Sequence, residues 1–160
     1  MNNNVNFRIC DVRYNYRMAG VTVRYGKVLL HQVEGNNFWS LPGGRCAINE
    51  DSAYALGREY EEEMGQKVEL TRPLWFVEYF YSEKATGETF HEISVIYDVV
   101  LADHGIFANG EFEGSEAGKK ILFKWFDLRE LKDLEFYPVF LKEKLQKLPE
   151  GMEHIIFRAG

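Results

Sequence analysis

Between Gly44 and Gly65 the chain reads GRCAINEDSAYALGREYEEEMG, and Glu59, Glu61, Glu62 and Glu63 crowd into one short run. Like charges three and four residues apart on a helix cost a few tenths of a kcal/mol each in water, and more against a buried surface. Any fold that keeps this run must supply something to offset the repulsion. Every local signal nevertheless predicts a helix. Asn49, Asp51 and Ser52 are N-cap candidates, Ala53 to Met64 contains good helix formers, and Gly65 offers the left-handed position at which helices end. At about 100° per residue, Leu56, Tyr60, Ala53 and Met64 form one stripe, expected to be buried. Glu59, Glu62 and Glu63 share an arc at the edge of that stripe, and Glu61 points elsewhere.

Three carboxylates facing one place are compensated by a hard divalent cation. Mg²⁺ takes oxygen ligands, tolerates several carboxylates and keeps waters that a phosphate can replace, and Mn²⁺ is the second candidate. The preceding turn, Pro42-Gly43-Gly44, lets backbone approach an ion or phosphate without Cβ obstruction. Arg45 sits where its guanidinium reaches a phosphate oxygen, although exposed surface charge is an equal reading. Taken singly these features are ordinary: an acidic run is usually a solvated face, Gly65 a cap, Arg58 a surface ion pair and Gly43-Gly44 a turn. Their joint spacing favours a phosphate site.

The rest of the chain bounds that site. With 160 residues, 46% of them hydrophobic, the chain is long enough for one ordinary core, so a single domain over residues 1–160 is expected. A net charge of -6 provides no broad basic field, which disfavours long nucleic acid and leaves a phosphate ligand dependent on local contacts. The start, MNNNVNFR, is polar, and no apolar run approaches the ~18 residues of a membrane span. A cytoplasmic protein without membrane association is expected. Cys10 and Cys46 match neither a disulfide framework nor a metal pattern, and Cys46 reads as a small apolar filler.

Ala19 to Val33 reads as two β-runs joined at Tyr25-Gly26, and Leu74 to Tyr81 with Thr89 to Ala102 reads as a second hairpin around Gly87. His104 to Gly118, rich in glycine and glutamate, reads as a mobile anionic loop, followed by a strand at Ile121 to Phe126. Pro138, Leu141, Leu145 and Leu148 recur at helical spacing, which predicts a closing amphipathic helix that stops at Pro149 to Gly151. Strands interleaved with two helices point to an α+β or α/β/α layered domain. Core packing is favoured over base stacking for Phe38, Trp39 and Tyr79, and His31, His91 and His104 lack metal spacing. GSEAGKK, Gly114 to Lys120, fails as a P-loop in both length and final residue.

The residues Gly44, Glu50, Arg58, Glu59, Glu62, Glu63 and Gly65 fill every fixed position of G-x5-E-x7-R-E-U-x-E-E-x-G-U, where U is a bulky aliphatic residue. The sequence therefore resembles the Nudix hydrolase family, and the WSLPGG lead-in and the later KWFDLREL look like it too. Tyr60 and Gln66 depart from the pattern, both at positions concerned with packing. The resemblance implies an α/β fold: a Nudix-like α/β/α sandwich whose mixed β-sheet carries the catalytic helix on one face and a C-terminal helix on the other. It implies metal-assisted hydrolysis of a pyrophosphate bond in a nucleoside diphosphate linked to another moiety. Glu59, Glu62 and Glu63, with the Gly43 carbonyl, would hold the metal; Gly44 and Arg45 would contact substrate; and Arg58 would orient the acidic cluster, pairing with Glu50. The proton acceptor would be Glu59 or a glutamate of the later loop, with Glu116 preferred over Glu111 and Glu113 because a loop carboxylate can swing onto the metals. Glu92 is a further contender. The resemblance also allows a homodimer. Tyr79 and Tyr81 are weak pointers to dinucleoside polyphosphates, while nucleoside triphosphates, ADP-sugars and capped RNA stay open as substrates. Two other classes compete: an inactive nucleotide-binding regulatory module on the same fold, and an isoprenoid diphosphate isomerase, which Cys46 does not fit well.

Overall fold

Two sheets and one long helix organise the chain in a computed structural model, which describes residues 3–102 and 110–159. The first sheet contains β1 (Asn6–Ile9), β2 (Val12–Val21), β6 (Val68–Ser82), β7 (Thr89–Leu101) and β10 (Glu153–Arg158) in the order β1-β2-β7-β6-β10, with β5 (Gly43–Arg45) pairing on β2. The β2/β7 and β6/β10 pairs are parallel and the others antiparallel, so the sheet is mixed. The second sheet runs β3-β4-β9-β8, from β3 (Val23–Arg24), β4 (Lys27–Val33), β9 (Lys119–Asp127) and β8 (Glu111–Glu116).

Each sheet lends one face to each of two apolar clusters, as strand alternation requires. Met18, Val99, Leu29, Ile121 and Phe123 pack with Leu56 and Tyr60 of the helix α1 (Ser52–Met64). Ala19, Val21, Leu30, Val77 and Phe126 pack instead with Leu131, Phe136, Leu141 and Leu145 from the C-terminal segment. The result is the expected mixed α/β fold, with α1 covering one face and the C-terminal segment the other. Among the described residues, no helix is long and apolar enough to cross a membrane.

The Tyr25-Gly26 turn has both residues at positive φ, 52° and 74°, the geometry of a two-residue hairpin whose twist matches its strands. The run before it, however, is split at Thr22: residues up to Val21 belong to the first sheet, and only Val23–Arg24 pair with β4. The second hairpin, β6 with β7, forms as expected and extends to Val68 on its first strand.

Three expectations are corrected. Residues 111–116 are a strand rather than a loop, closed onto β9 by a turn with Ala117 and Gly118 at φ 49° and 79°. Alternation explains why: Phe112 faces inward and stacks on Phe123 at 5.0 Å, while Gly114 comes so close to the Glu63 carbonyl that no Cβ fits between them. His104 lies outside the described residues. The closing helix shrinks to one turn, α2 (Leu141–Lys144). Short helices are marginal in water, so burial of Leu141 and Leu145 anchors this turn, and Pro149 opposes helical geometry at Leu148. After it comes β10, a strand where only a stop was foreseen. Third, Ala53 is exposed; the inward face of α1 is Ala55, Leu56, Glu59, Tyr60 and Glu63. The helix is rotated so that two carboxylates, rather than Ala53, turn toward the sheets.

Candidate active site

Asp51 caps α1, its side chain accepting from the Tyr54 backbone N–H at 2.8 Å, and Gly65 ends the helix at φ 66°. Two glycines set how closely the helix can approach. A Cβ on Gly44 would lie 2.6 Å from Glu59 Oε2, and one on Gly43 would collide with the Met18 carbonyl of the neighbouring strand. Any larger residue at Gly44 would therefore displace the carboxylate. On the other side of the helix, Gly114 of β8 sits against the Glu63 backbone, which brings Glu116, two residues along the same strand face, up to the helix.

Glu59, Glu63 and Glu116 each place one carboxylate oxygen within 4.8 Å of the other two. Glu59 and Glu63 are both only 4% exposed, whereas Glu116 is open to solvent. Glu116 is thus fixed by a strand beside the helix instead of swinging in on a loop. Glu111 alternates onto the opposite strand face, as does Glu113. Glu92 belongs to β7 and faces the side of the first sheet that α1 does not cover, away from this cluster.

Arg58 gathers the acidic side chains. It donates to Glu50 through Nε at 2.6 Å and Nη2 at 3.1 Å, to Glu59 Oε1 at 2.9 Å and to Glu62 Oε2 at 3.1 Å. Glu50 is itself anchored by the Ala47 backbone N–H at 2.8 Å. The Arg58 hydrogen bond holds the Glu50 carboxyl below its usual range, and the reciprocal bond from Glu50 raises Arg58 further into its charged form. Glu62, with a 53% exposed side chain, lies on the solvent side of Arg58 and outside the close group of three. Arg45 lies half-buried on β5, where its backbone carbonyl is 3.5 Å from Arg58 Nη2.

The buried carboxylates are poorly satisfied by the protein alone. Glu59 Oε2 and Glu63 Oε1 are buried without a hydrogen-bond partner among the described residues. Burial, and then the charge of Glu116, raises Glu59 above the usual carboxylate range against the pull of Arg58. Burial together with Glu116 and Glu59 pushes Glu63 up to about 10. Two orphaned buried oxygens in a group of three carboxylates whose oxygens come within 4.8 Å of one another, all of them hard donors, fit a hard divalent cation.

The chain matches the NUDIX domain over residues 15–147. It belongs to the Nudix family. A curated relative, the 8-oxo-dGTP diphosphatase of Buchnera aphidicola subsp. Schizaphis graminum, is 28% identical over 76 residues, which are 45% of this chain and 58% of that protein. The chain therefore aligns with less than two thirds of that relative's length. Among solved structures, the mutator MutT protein of Bacillus halodurans superposes with a TM-score of 0.62 at 15% identity, covering 90% of this chain and 89% of the other. An ADP-ribose pyrophosphatase from Streptococcus suis gives 0.57 at 18% identity, covering 89% and 98%. These structural likenesses concern the Nudix fold. Within it, the polar groups that the sequence reading passed over are Asn15 and Ser94, which donate to Glu92 at 2.6 and 3.0 Å, and Arg17 on the same face of the sheet. The alternation of Val12, Tyr14, Tyr16 and Met18 signals the strand that carries two of them, but its parallel pairing with β7 has no local signature.

Proposed function

We propose that this Nudix chain hydrolyses a pyrophosphate bond in a nucleoside diphosphate linked to another moiety, and that it does so with Mg²⁺ or Mn²⁺ held at the acidic cluster. The observation that carries this reading is the convergence of Glu59, Glu63 and Glu116, with buried oxygens on Glu59 and Glu63 that no group among the described residues satisfies. A bound divalent cation supplies neutralisation of phosphate oxygens and lowers the pKa of water. Glu59 and Glu63 would hold it, with the Gly43 carbonyl and Glu62 as additional oxygen donors. Arg58 orients Glu59 and favours its ionised form through its 2.9 Å contact. Glu116, exposed and without an ion pair among the described residues, accepts a proton from the attacking water. Water oxygen bonds to phosphorus, the bridging P–O bond breaks, and a nucleoside monophosphate leaves with the phosphorylated remainder. Arg45 and the Gly44 backbone contact the phosphates.

The full set of carboxylates favours turnover over a regulatory module that only binds nucleotide. A panel of nucleoside diphosphate derivatives and triphosphates, assayed with and without Mg²⁺, tests this. Wild type releases nucleoside monophosphate from at least one of them in the presence of metal, and Glu59→Gln and Glu63→Gln lose at least about a hundredfold in kcat/KM. Equal turnover in all three proteins refutes the assigned site, and no turnover by wild type leaves the binding module.

A further inference from the structure

The helix α1 covers only part of its side of the first sheet. Its first residue, Ser52, meets the Tyr97 hydroxyl at 2.7 Å, and the cluster beneath it takes Tyr16, Met18 and Tyr97 from this face. Farther from the helix, strand register sets one row of side chains across the whole sheet: Phe7, Tyr14, His91, Phe80 and Arg158, one each from β1, β2, β7, β6 and β10. Phe7 stacks on Tyr14 at 5.1 Å, Tyr14 meets His91 edge-on at 5.4 Å, His91 stacks on Phe80 at 4.6 Å, and the Arg158 guanidinium lies 4.1 Å from the Phe80 ring centre. Ile9 and Val12 flank this row on one side. Ile93, Ile156, Val95 and Phe76 flank it on the other, all pointing the same way by alternation. Among the described residues none of these side chains belongs to either apolar cluster. Ile9 is 64% exposed and Ile156 61%, and Phe7 and Val12 are exposed as well.

Such a patch fits a partner of matching breadth. Strands ~4.8 Å apart and rows ~6.7 Å apart make the face about 24 by 20 Å, or roughly 500 Å². Single apolar residues are ordinary on a surface, but a contiguous patch of this size marks contact with another molecule. A lone helix is ~10–12 Å across and hides less than half of it. Another sheet of equal width covers it fully, because two apolar sheet faces pack ~10 Å apart with interdigitating side chains. A second copy of this chain brings that sheet. Pairing the two faces buries roughly 1,000 Å² in total, the size at which specific interfaces begin. Charge favours the same partner: the chain carries -6, yet the rows of this face present one carboxylate among the described residues, Glu78, held by His154 at 2.7 Å, beside the cationic Arg158. Two copies meeting here keep their acidic surfaces turned away from each other.

We propose that the chain forms a two-fold dimer through this face, sheet against sheet. Two-fold symmetry puts the same patch on both sides of the contact, so each of its side chains is used twice. The aromatic row and its aliphatic flanks exclude water from the middle, while His154 and Arg158 on the edge strand β10 form a polar rim.

Sedimentation velocity of the full chain between about 1 and 200 µM tests this. Wild type passes from 18.7 kDa to twice that mass with a midpoint of about 1–50 µM, as an interface at the lower size limit gives. Raising salt to about 0.5 M strengthens the association, since it screens repulsion between two acidic molecules and leaves apolar contact intact. Ile9→Lys and Ile156→Lys enter the contact from opposite edges of the sheet, and each weakens the dimer at least about tenfold by burying a charge twice. Both side chains are exposed in the single molecule, so circular dichroism and Tm stay close to wild type. Val139→Lys, on the C-terminal segment, leaves the association unchanged. A monomer at every concentration, whether the face then stays bare or takes a different protein, overturns the proposal, and so does a dimer that both lysine variants of the face leave intact.

Discussion

Replacing Glu63 by Gln separates metal-site chemistry from ordinary core packing, because it moves two observables in opposite directions. Glu63 lies within 4.8 Å of carboxylate oxygens on Glu59 and Glu116 and is 4% exposed. Two unit charges at that distance repel by roughly 3.5 kcal/mol at an effective dielectric of 20. Linkage gives a similar figure. A carboxyl pushed up to about 10 in the folded chain, against about 4.5 in the unfolded one, must take up a proton on folding at pH 7, which costs on the order of 3 kcal/mol. The folded state binds the extra proton, so the metal-free protein loses stability as pH rises from about 4.5 toward 10. Gln keeps the shape and removes the charge, but its amide is imperfectly satisfied, so roughly half the relief is retained, about 1–2 kcal/mol. For a chain of this size that is an increase in Tm of about 3–8 °C in chelator, with a flatter dependence on pH. Saturating Mg²⁺ raises the Tm of wild type and leaves the variant nearly unmoved, since binding only the native state is what stabilises it. Scanning calorimetry in chelator and in Mg²⁺ across pH measures both. A variant that is less stable than wild type in chelator, with an unchanged Mg²⁺ increment, refutes the reasoning.

Gly44→Ala forces a Cβ to within 2.6 Å of Glu59 Oε2; Mg²⁺ affinity falls about tenfold or more in titration calorimetry, with about 1–3 kcal/mol lost in urea unfolding. Arg58→Lys keeps a positive charge but not the fork that joins Glu50, Glu59 and Glu62; denaturant unfolding shows a loss of about 1–3 kcal/mol, and kcat drops with little change in KM. Because Glu63 holds its proton at pH 7 in the metal-free state, Mg²⁺ binding releases about one proton, and affinity strengthens as pH rises toward 10. Titrations in two buffers of different ionisation enthalpy measure that release.

Much of this was legible in the sequence because local rules act there. The cap at Asp51, the stop at Gly65 and the spacing from Gly44 to Glu63 are short-range features, and α1 follows them to within a residue. The hairpins were readable for the same reason: Tyr25-Gly26 and the long β-branched runs carry their own turn chemistry. The register of the helix against the sheets was not. Ala53, expected in the buried stripe, is exposed, and Glu63, expected at its edge, is buried, because the Gly44 and Gly114 contacts, made with distant strands, decide the rotation. Glu116 was singled out for a mobile loop, whereas the alternation of Phe112, Gly114 and Glu116 fixes it in β8. The strands β1 and β10 depend on partners elsewhere in the chain, and their short runs have little local signature. The hydrogen bonds around Glu92 stayed hidden because they arise from parallel pairing of β2 with β7, a contact nearly 80 residues apart in the chain.

Crystals grown with Mn²⁺ and a non-hydrolysable nucleoside diphosphate analogue put the central claim to its most direct test, through the anomalous signal of the metal. The predicted map has a peak coordinated by oxygens of both Glu59 and Glu63, with an analogue phosphate oxygen completing the ligand set. A fully occupied analogue with no manganese peak at those two residues, or a peak held only by exposed carboxylates elsewhere, contradicts it.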